Sequence, residues 1–250
     1  MIDFAVGDRV AYIGAGPGAY ADIRNVKAEK LVHIPPTLGD DAVAANLFKG
    51  LTAQYLVKKT FPVRAGHLIL VHAAAGGVGS ILASWASKIG ATVLGTAGSE
   101  AKCAVARAKG CAVAVNYRQA GWQDSLLSFT GGEKVHVAYD SVGLQTFLSS
   151  LDLTAPFGTV VVFGMASGPA PAIEPELLNR KGCLFLTRPS VFPHNSTAQL
   201  LRQNAAELFR AMETGMFDTE GFERVELASI RDVHQAVEAR ARTGAVVLLP

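Results

Sequence analysis

Between residues 68 and 187, short stretches of unbroken apolar character alternate with longer segments in which apolar positions recur every three or four residues. Leu68-Ile69-Leu70-Val71-His72-Ala73 reads as a first strand. A helix follows over 78–89, where Val78, Ile81, Leu82, Trp85, Ala86 and Ile89 keep one stripe and Gly90 stands at the left-handed stop position. Residues 91–96 form a second strand, Ser99 can cap a helix over 100–109 that stops at Gly110, and 112–117 form a third strand. Residues 135–140, 158–163 and 183–187 read as the fourth, fifth and sixth. Strands that are apolar on both faces and alternate with helices predict a parallel sheet covered on both sides. The expected fold class is α/β, with a doubly wound six-stranded sheet over 49–188.

The flanks lack this rhythm. Residues 1–46 hold short β segments around 7–12 and 31–36, with a Gly16-Pro17-Gly18 turn between them. Beyond the sheet, a helix is predicted over 198–215, a strand over 224–227, a helix over 232–242 and a last strand over 245–249. Neither flank can bury a large core alone, so 1–48 and 189–250 are expected to pack together as a second, β-rich lobe.

Composition narrows the class. Half the residues are apolar and 18% are charged, with 23 basic against 21 acidic residues, which excludes a disordered chain. A net charge of +2 without a run of five like charges gives no footprint for nucleic acid or anionic membrane. Apolar stretches stop well short of the ~18 residues a spanning helix needs, and the first residues carry no secretory leader. Three cysteines without a C-x-x-C pair point away from a disulfide framework and from a cysteine-rich zinc site. A cytoplasmic protein is expected.

Ala73-Ala74-Ala75-Gly76-Gly77-Val78-Gly79 joins the first strand to its helix. It fits an A-x-G-x-x-G reading of the dinucleotide fingerprint, with Ala74, Gly76 and Gly79 in the three small positions. Gly76 lets the backbone approach a pyrophosphate, Gly79 lets helix and strand pack closely, and the helix N-terminus offers unpaired N–H groups. A site for NAD places an acid at the end of the second strand to take the ribose hydroxyls. Here Thr96-Ala97-Gly98-Ser99 stands there, with Lys102 one turn into the helix and Tyr117 ending the third strand. That favours a 2′-phosphate and hence NADP; Glu100 is the alternative, an acid close enough to serve if the turn shifts. A methyltransferase would share the glycine-rich loop, but Lys102 and the missing acid disfavour it. The six histidines show no metal-ligand spacing, and no G-x-S-x-G elbow supports a hydrolase. Cys103 and Cys111 read as small apolar residues, and Trp122 has no assigned place.

Four segments together resemble the zeta-crystallin-like quinone oxidoreductases, the zinc-independent branch of the medium-chain dehydrogenase/reductase superfamily. They are the 72–79 turn, Lys49-Gly50-Leu51-Thr52-Ala53, Asp140-Ser141-Val142-Gly143 and Thr187-Arg188-Pro189-Ser190. The resemblance runs in order over essentially the whole chain. It implies a Rossmann domain beside a GroES-like lobe, with the cofactor in the cleft between them. It places Gly98, Ser99, Lys102 and Tyr117 around the adenosine phosphate of NADPH, and Ala75, Gly76, Gly77 and Val78 at the pyrophosphate. Thr52, Phe163 and Gly164 would lie near the nicotinamide ribose or ring, Ser141 and Val142 along the adenosine side, and Arg240 close to the cofactor. No catalytic residue and no metal ligand is named. Relatives pair through the sixth strand, so a homodimer is expected, its alternative being an exposed apolar edge around residues 183–186.

The implied activity is hydride transfer from NADPH to quinones or similar electron-poor conjugated carbonyls. Family members carry a longer region before Gly7-Asp8-Arg9-Val10, so roughly the first quarter of the family pattern, the start of the GroES-like lobe, is absent. The alternative expectation is therefore an NADPH-binding protein with little or no turnover.

Overall fold

The computed structural model describes residues 4–239 and 244–250. In chain order it begins with β1 (Val10–Tyr12) and β2 (Leu31–His33), an antiparallel pair with Val10 opposite His33. Helix α1 (Asp40–Tyr55) then runs into a π turn at Leu56–Thr60. The described residues group into two units: 55–190, and the two flanks, up to residue 54 and from 191 onward.

Residues 55–190 hold β3 (Leu68–Val71), α2 (Gly77–Ile89), β4 (Thr92–Ala97), α3 (Glu100–Ala108), β5 (Val113–Asn116) and α4 (Trp122–Phe129). They continue with β6 (Val135–Asp140), α5 (Phe147–Leu153), β7 (Thr154–Val162), α6 (Pro175–Arg180) and β8 (Phe185–Thr187). The six strands form one parallel sheet in the order β5-β4-β3-β6-β7-β8. The chain therefore builds outward from β3 in one direction, crosses back, and builds outward from β6 in the other. Connections leaving β3 and β6 diverge at their carboxyl ends, where such sheets bind ligands.

The apolar runs form strands because both faces are covered: all four residues of β3 are buried. One face carries Leu68, Leu70, Leu94, Val135 and Ala138, packed with Trp122 and Leu126 of α4 and Leu153 of α5. Helix α2 ends at Gly90, which adopts φ +100°, and α3 begins at Ser99, whose hydroxyl accepts the Lys102 N–H. Both termini fall where the sequence placed them.

Two differences have a local cause. Strand β7 starts at Thr154, four residues before the expected Gly158, through Pro156 and through Phe157 at φ +62°. Those residues carry strand-breaking signals, yet the Phe157 N–H donates to the Gly182 carbonyl at 2.8 Å. Trp122, without a place in the sequence reading, opens α4 after Gly121 at φ +75° and is buried.

The flanking unit continues with α7 (Val191–His194), α8 (Ala198–Glu213), β9 (Phe222–Glu226), α9 (Ile230–Glu238) and β10 (Ala245–Leu249). Strands β9 and β10 pair in parallel. Helix α8 buries Leu201, Ala205, Leu208, Phe209 and Met212. It approaches α1 at Gly50, where a Cβ would lie 2.5 Å from Leu208 Cδ1. The expected division at Lys49 falls inside α1, which runs on without a break to Tyr55. No described helix is long and apolar enough to cross a membrane.

Leu126 is 1% exposed in the cluster beneath the sheet. Leu126→Ala should lower stability by about 2–5 kcal/mol, read as a fall in the urea midpoint with an unchanged slope.

Candidate cofactor site

Strand β3 leaves the sheet at Val71, and the turn that follows is built around one carbonyl. Ala73 sits at φ +51°, and its oxygen accepts the Gly76 N–H at 2.8 Å. Helix α2 closes over the same oxygen: a Cβ on Gly79 would lie 2.3 Å from it, and one on Gly76 3.1 Å. Gly76 is the N-cap residue, its carbonyl accepting the Ser80 N–H at 2.8 Å. The amides of Gly77, Val78 and Gly79 therefore precede the first intrahelical bond and carry the positive end of the helix. Gly76 and Gly77 are exposed, while Ala75 and Val78 are half-buried. Ala74 is buried, and its N–H donates to Thr96 O at 2.9 Å, tying the turn to β4.

The ends of β4 and β5 make a second surface. Gly98 leads into Ser99, whose Oγ receives the Lys102 N–H at 3.4 Å. Lys102 is exposed, and its ammonium has no partner among the described residues. The Tyr117 N–H donates to Ala97 O at 3.0 Å, and its hydroxyl lies 3.2 Å from where a Cβ on Gly98 would stand. No acidic side chain occupies 97–99; Glu100 is the exposed first residue of α3. Beneath this surface, a Cβ on Gly95 would meet Cys111 Sγ at 2.7 Å. Burial pushes the Cys111 thiol up to about 12, so it packs as a neutral, apolar group.

The third part is a buried polar network at the point where the strand order reverses. Asp140, fully buried at the end of β6, accepts the Val142 N–H at 2.8 Å and the Gly143 N–H at 2.9 Å through Oδ1. The Thr146 hydroxyl donates to it at 2.8 Å, and the Ser150 hydroxyl donates to Oδ2 at 3.0 Å. His72, also fully buried, places Nε2 3.0 Å from Ser150 Oγ and Nδ1 2.8 Å from Thr96 Oγ1. The Ser150 hydroxyl has acceptors in Asp140 Oδ2 and the Thr146 carbonyl, each at 3.0 Å, which assigns the imidazole proton to Nε2 and leaves Nδ1 to accept from Thr96. The ends of β3, β4 and β6 are thereby joined through one ring. Burial holds the His72 pKa below its ordinary value, with the Asp140 carboxylate acting in the opposite sense.

Strand β7 ends against the same loop. The Phe163 and Gly164 N–H groups donate to Asp140 O at 2.8 and 3.3 Å, and a Cβ on Gly164 would lie 2.6 Å from Ser141 O. The Ser141 hydroxyl donates to His72 O at 3.3 Å.

The structure thus gathers the residues predicted at 75–78, 98–102, 117, 141–142 and 163–164 along the carboxyl ends of five neighbouring strands. Thr52 lies on α1 in the flanking unit, its hydroxyl donating to Phe48 O at 2.9 Å. Arg240 lies outside the described residues. Sequence reasoning missed the His72–Ser150–Asp140 network. Its signal was a histidine inside an otherwise apolar, doubly covered strand, a position that requires a partner for each ring nitrogen. Among the described residues, no group of three His, Cys, Asp or Glu side chains could hold a metal ion.

A parallel sheet reversing between β3 and β6, with a glycine turn opening a helix at β3, defines a dinucleotide-binding unit. Comparison with known proteins narrows this. A family model described as zinc-binding dehydrogenase matches residues 77–207. A quinone oxidoreductase of Pseudomonas aeruginosa is 41% identical over 99% of this chain and 76% of its own length. A 2-haloacrylate reductase of a Burkholderia species is 38% identical over 100% of this chain and 76% of its own. The crystal structure of Escherichia coli quinone oxidoreductase complexed with NADPH has a TM-score of 0.93 at 36% identity, covering 99% of this chain and 77% of that one. This chain belongs to the quinone oxidoreductase family of the medium-chain dehydrogenase/reductase superfamily, and is an oxidoreductase.

Gly79→Ala should cost about 1–3 kcal/mol, because the methyl group has nowhere to go but into the Ala73 carbonyl; chemical denaturation measures it. The buried imidazole adds a pH dependence. Below about pH 6.5 the unfolded chain binds a proton at His72 that the folded chain refuses, so stability rises with pH there and falls as pH drops. Urea titrations between pH 5 and 8 should show that His72→Gln removes up to about 1.4 kcal/mol per pH unit of this acid-side slope.

Proposed function

We propose that this chain is a cytoplasmic, zinc-independent oxidoreductase that uses NADPH to reduce quinones or similar electron-poor conjugated carbonyls. The observation that carries the cofactor choice is the end of β4. A capped helix start, an unpartnered ammonium at Lys102 and the Tyr117 hydroxyl stand around Gly98, where an NAD site would present an acid. The acceptor class is supported by the relatives, since quinones and 2-haloacrylates share a carbon–carbon double bond conjugated to a carbonyl.

The turn fits a dinucleotide. Gly76 and Gly77 are exposed and carry no side chain, and the amides of the turn stand at a helix start. Ala75, Gly76, Gly77 and Val78 hold the pyrophosphate, and Gly98, Ser99, Lys102 and Tyr117 hold the 2′-phosphate. Ser141 and Val142 line the adenosine side, and Asp140 keeps their loop in place by accepting the Val142 and Gly143 amides. Phe163 and Gly164, just past the end of β7, are assigned to the nicotinamide side; Thr52 and Arg240 are carried as cofactor residues by the family resemblance alone. When bound, NADPH supplies a hydride from nicotinamide C4. The protein's share is positioning and electrostatics, and no side chain here serves as an evident general acid, so water protonates the reduced acceptor.

The partner of the chain is a second copy, joined along β8. That strand is outermost in the sheet, with Phe185 63% and Leu186 38% exposed, and Phe157, 72% exposed, joined to the adjoining Gly182. An unpaired apolar edge of this kind is ordinarily covered.

Lys102→Ala should weaken NADPH roughly tenfold or more while leaving NADH within about twofold, as measured by fluorescence titration. Equal losses for both cofactors would remove Lys102 from the phosphate site. Steady-state assays with a panel of quinones should show NADPH oxidation; tight NADPH binding without turnover would leave a binding protein. Sedimentation at micromolar concentration should give a dimer, which Phe185→Glu dissociates.

A further inference from the structure

A second cation stands over Gly98, and neither the sequence pattern nor the assigned site includes it. A Cβ on Gly98 would lie 3.6 Å from Arg118 Nε and 3.2 Å from the Tyr117 hydroxyl, so guanidinium and phenol hang above the same patch of open glycine backbone. Consecutive residues of a strand point to opposite faces; these two converge because β5 has ended. Asn116 accepts the Arg118 N–H through Oδ1 at 3.1 Å and the Gln119 N–H through its carbonyl at 3.0 Å, an Asx turn that brings Arg118 back over the end of β4. Arg118 is exposed, and no hydrogen bond or ion pair holds its side chain among the described residues. Arg9, Arg224 and Arg107 are engaged within the chain, by Asp40, Asp41 and the Ala114 carbonyl; what sets Arg118 apart is its place over Gly98. A guanidinium placed against glycine backbone, beside a phenol and without an internal partner, is arranged for an anion from outside the chain.

We propose that Arg118 is a further specificity-determining residue, which grips the 2′-phosphate of the cofactor's adenosine from the Tyr117 side. This rests on the NADPH reading above. The two cations differ in kind. Lys102 supplies a mobile point charge from the capped helix, whereas the planar fork of Arg118 can engage two phosphate oxygens at once. The glycine at position 98 is then required twice, to admit the phosphate and to leave room for Tyr117 and Arg118 above it.

The test is calorimetric binding of NADPH, NADH and 2′,5′-ADP to the wild-type chain and to Arg118→Ala, Arg118→Lys and Lys102→Ala. Arg118→Ala should weaken NADPH and 2′,5′-ADP about tenfold and leave NADH within about twofold. Arg118→Lys should recover only part of the loss, because the charge returns without the fork. The salt dependence of NADPH binding should also become shallower in Arg118→Ala. Unchanged NADPH affinity, or an equal loss for both dinucleotides, would overturn the proposal. Should Lys102→Ala lose its preference for NADPH while Arg118→Ala keeps it, Arg118 alone falls. Should the wild-type chain bind NADH as tightly as NADPH, the 2′-phosphate reading falls with it.

Discussion

The hydrogen bonds converging on Asp140 and His72 are the constraint on which the cofactor end of this protein depends. Where the strand order of a parallel sheet reverses, the connections leave the two central strands in opposite directions, and the loops there lie outside the ladder. Asp140 replaces that ladder with bonds to two backbone amides and two hydroxyls, and His72 carries the connection to β3 and β4. Both groups are fully buried, so every bond is made in a setting where an unmade one is costly. The loop with Ser141 and Val142, the glycine turn after His72 and the start of Phe163–Gly164 are all attached to this one cluster.

Small residues do the complementary work. Where the fold leaves no room for a Cβ, the sequence supplies a glycine: Gly79 over the Ala73 carbonyl, Gly164 against the Ser141 backbone, Gly95 against the Cys111 side chain. The same lack of a side chain leaves exposed backbone at Gly76 and Gly77 and half-buried backbone at Gly98. Tight approach inside and accessible backbone outside are two uses of one property. They leave this end of the sheet closely packed in its interior while its outer surface offers amides, a hydroxyl and cations.

The alternation of apolar runs and amphipathic helices was enough to define six parallel strands, because strands buried on both faces leave no polar positions to confuse the period. Helix ends at Gly90 and Ser99 were legible for the same reason: each depends on one residue and its own backbone. The turn at 73–79 and the acid-free end of β4 could be located in advance, since a fingerprint at a strand–helix junction is a local signal. The start of β7 was not legible, because Pro156 and the positive φ of Phe157 look like a loop unless Gly182 is there to receive the Phe157 amide.

By itself, then, the sequence determined the doubly wound sheet and the position of the glycine turn that opens α2, both of which follow from residues close together in the chain. Only the tertiary structure decided where His72, Trp122 and Arg118 stand and what each one meets. His72 takes its tautomer from Thr96 and Ser150, and Trp122 packs edge-on against that imidazole at 5.8 Å. Arg118 acquires its meaning from Gly98, on a different strand. Each depends on residues brought near by strand pairing, and the geometry of pairing exists only once the sheet has formed.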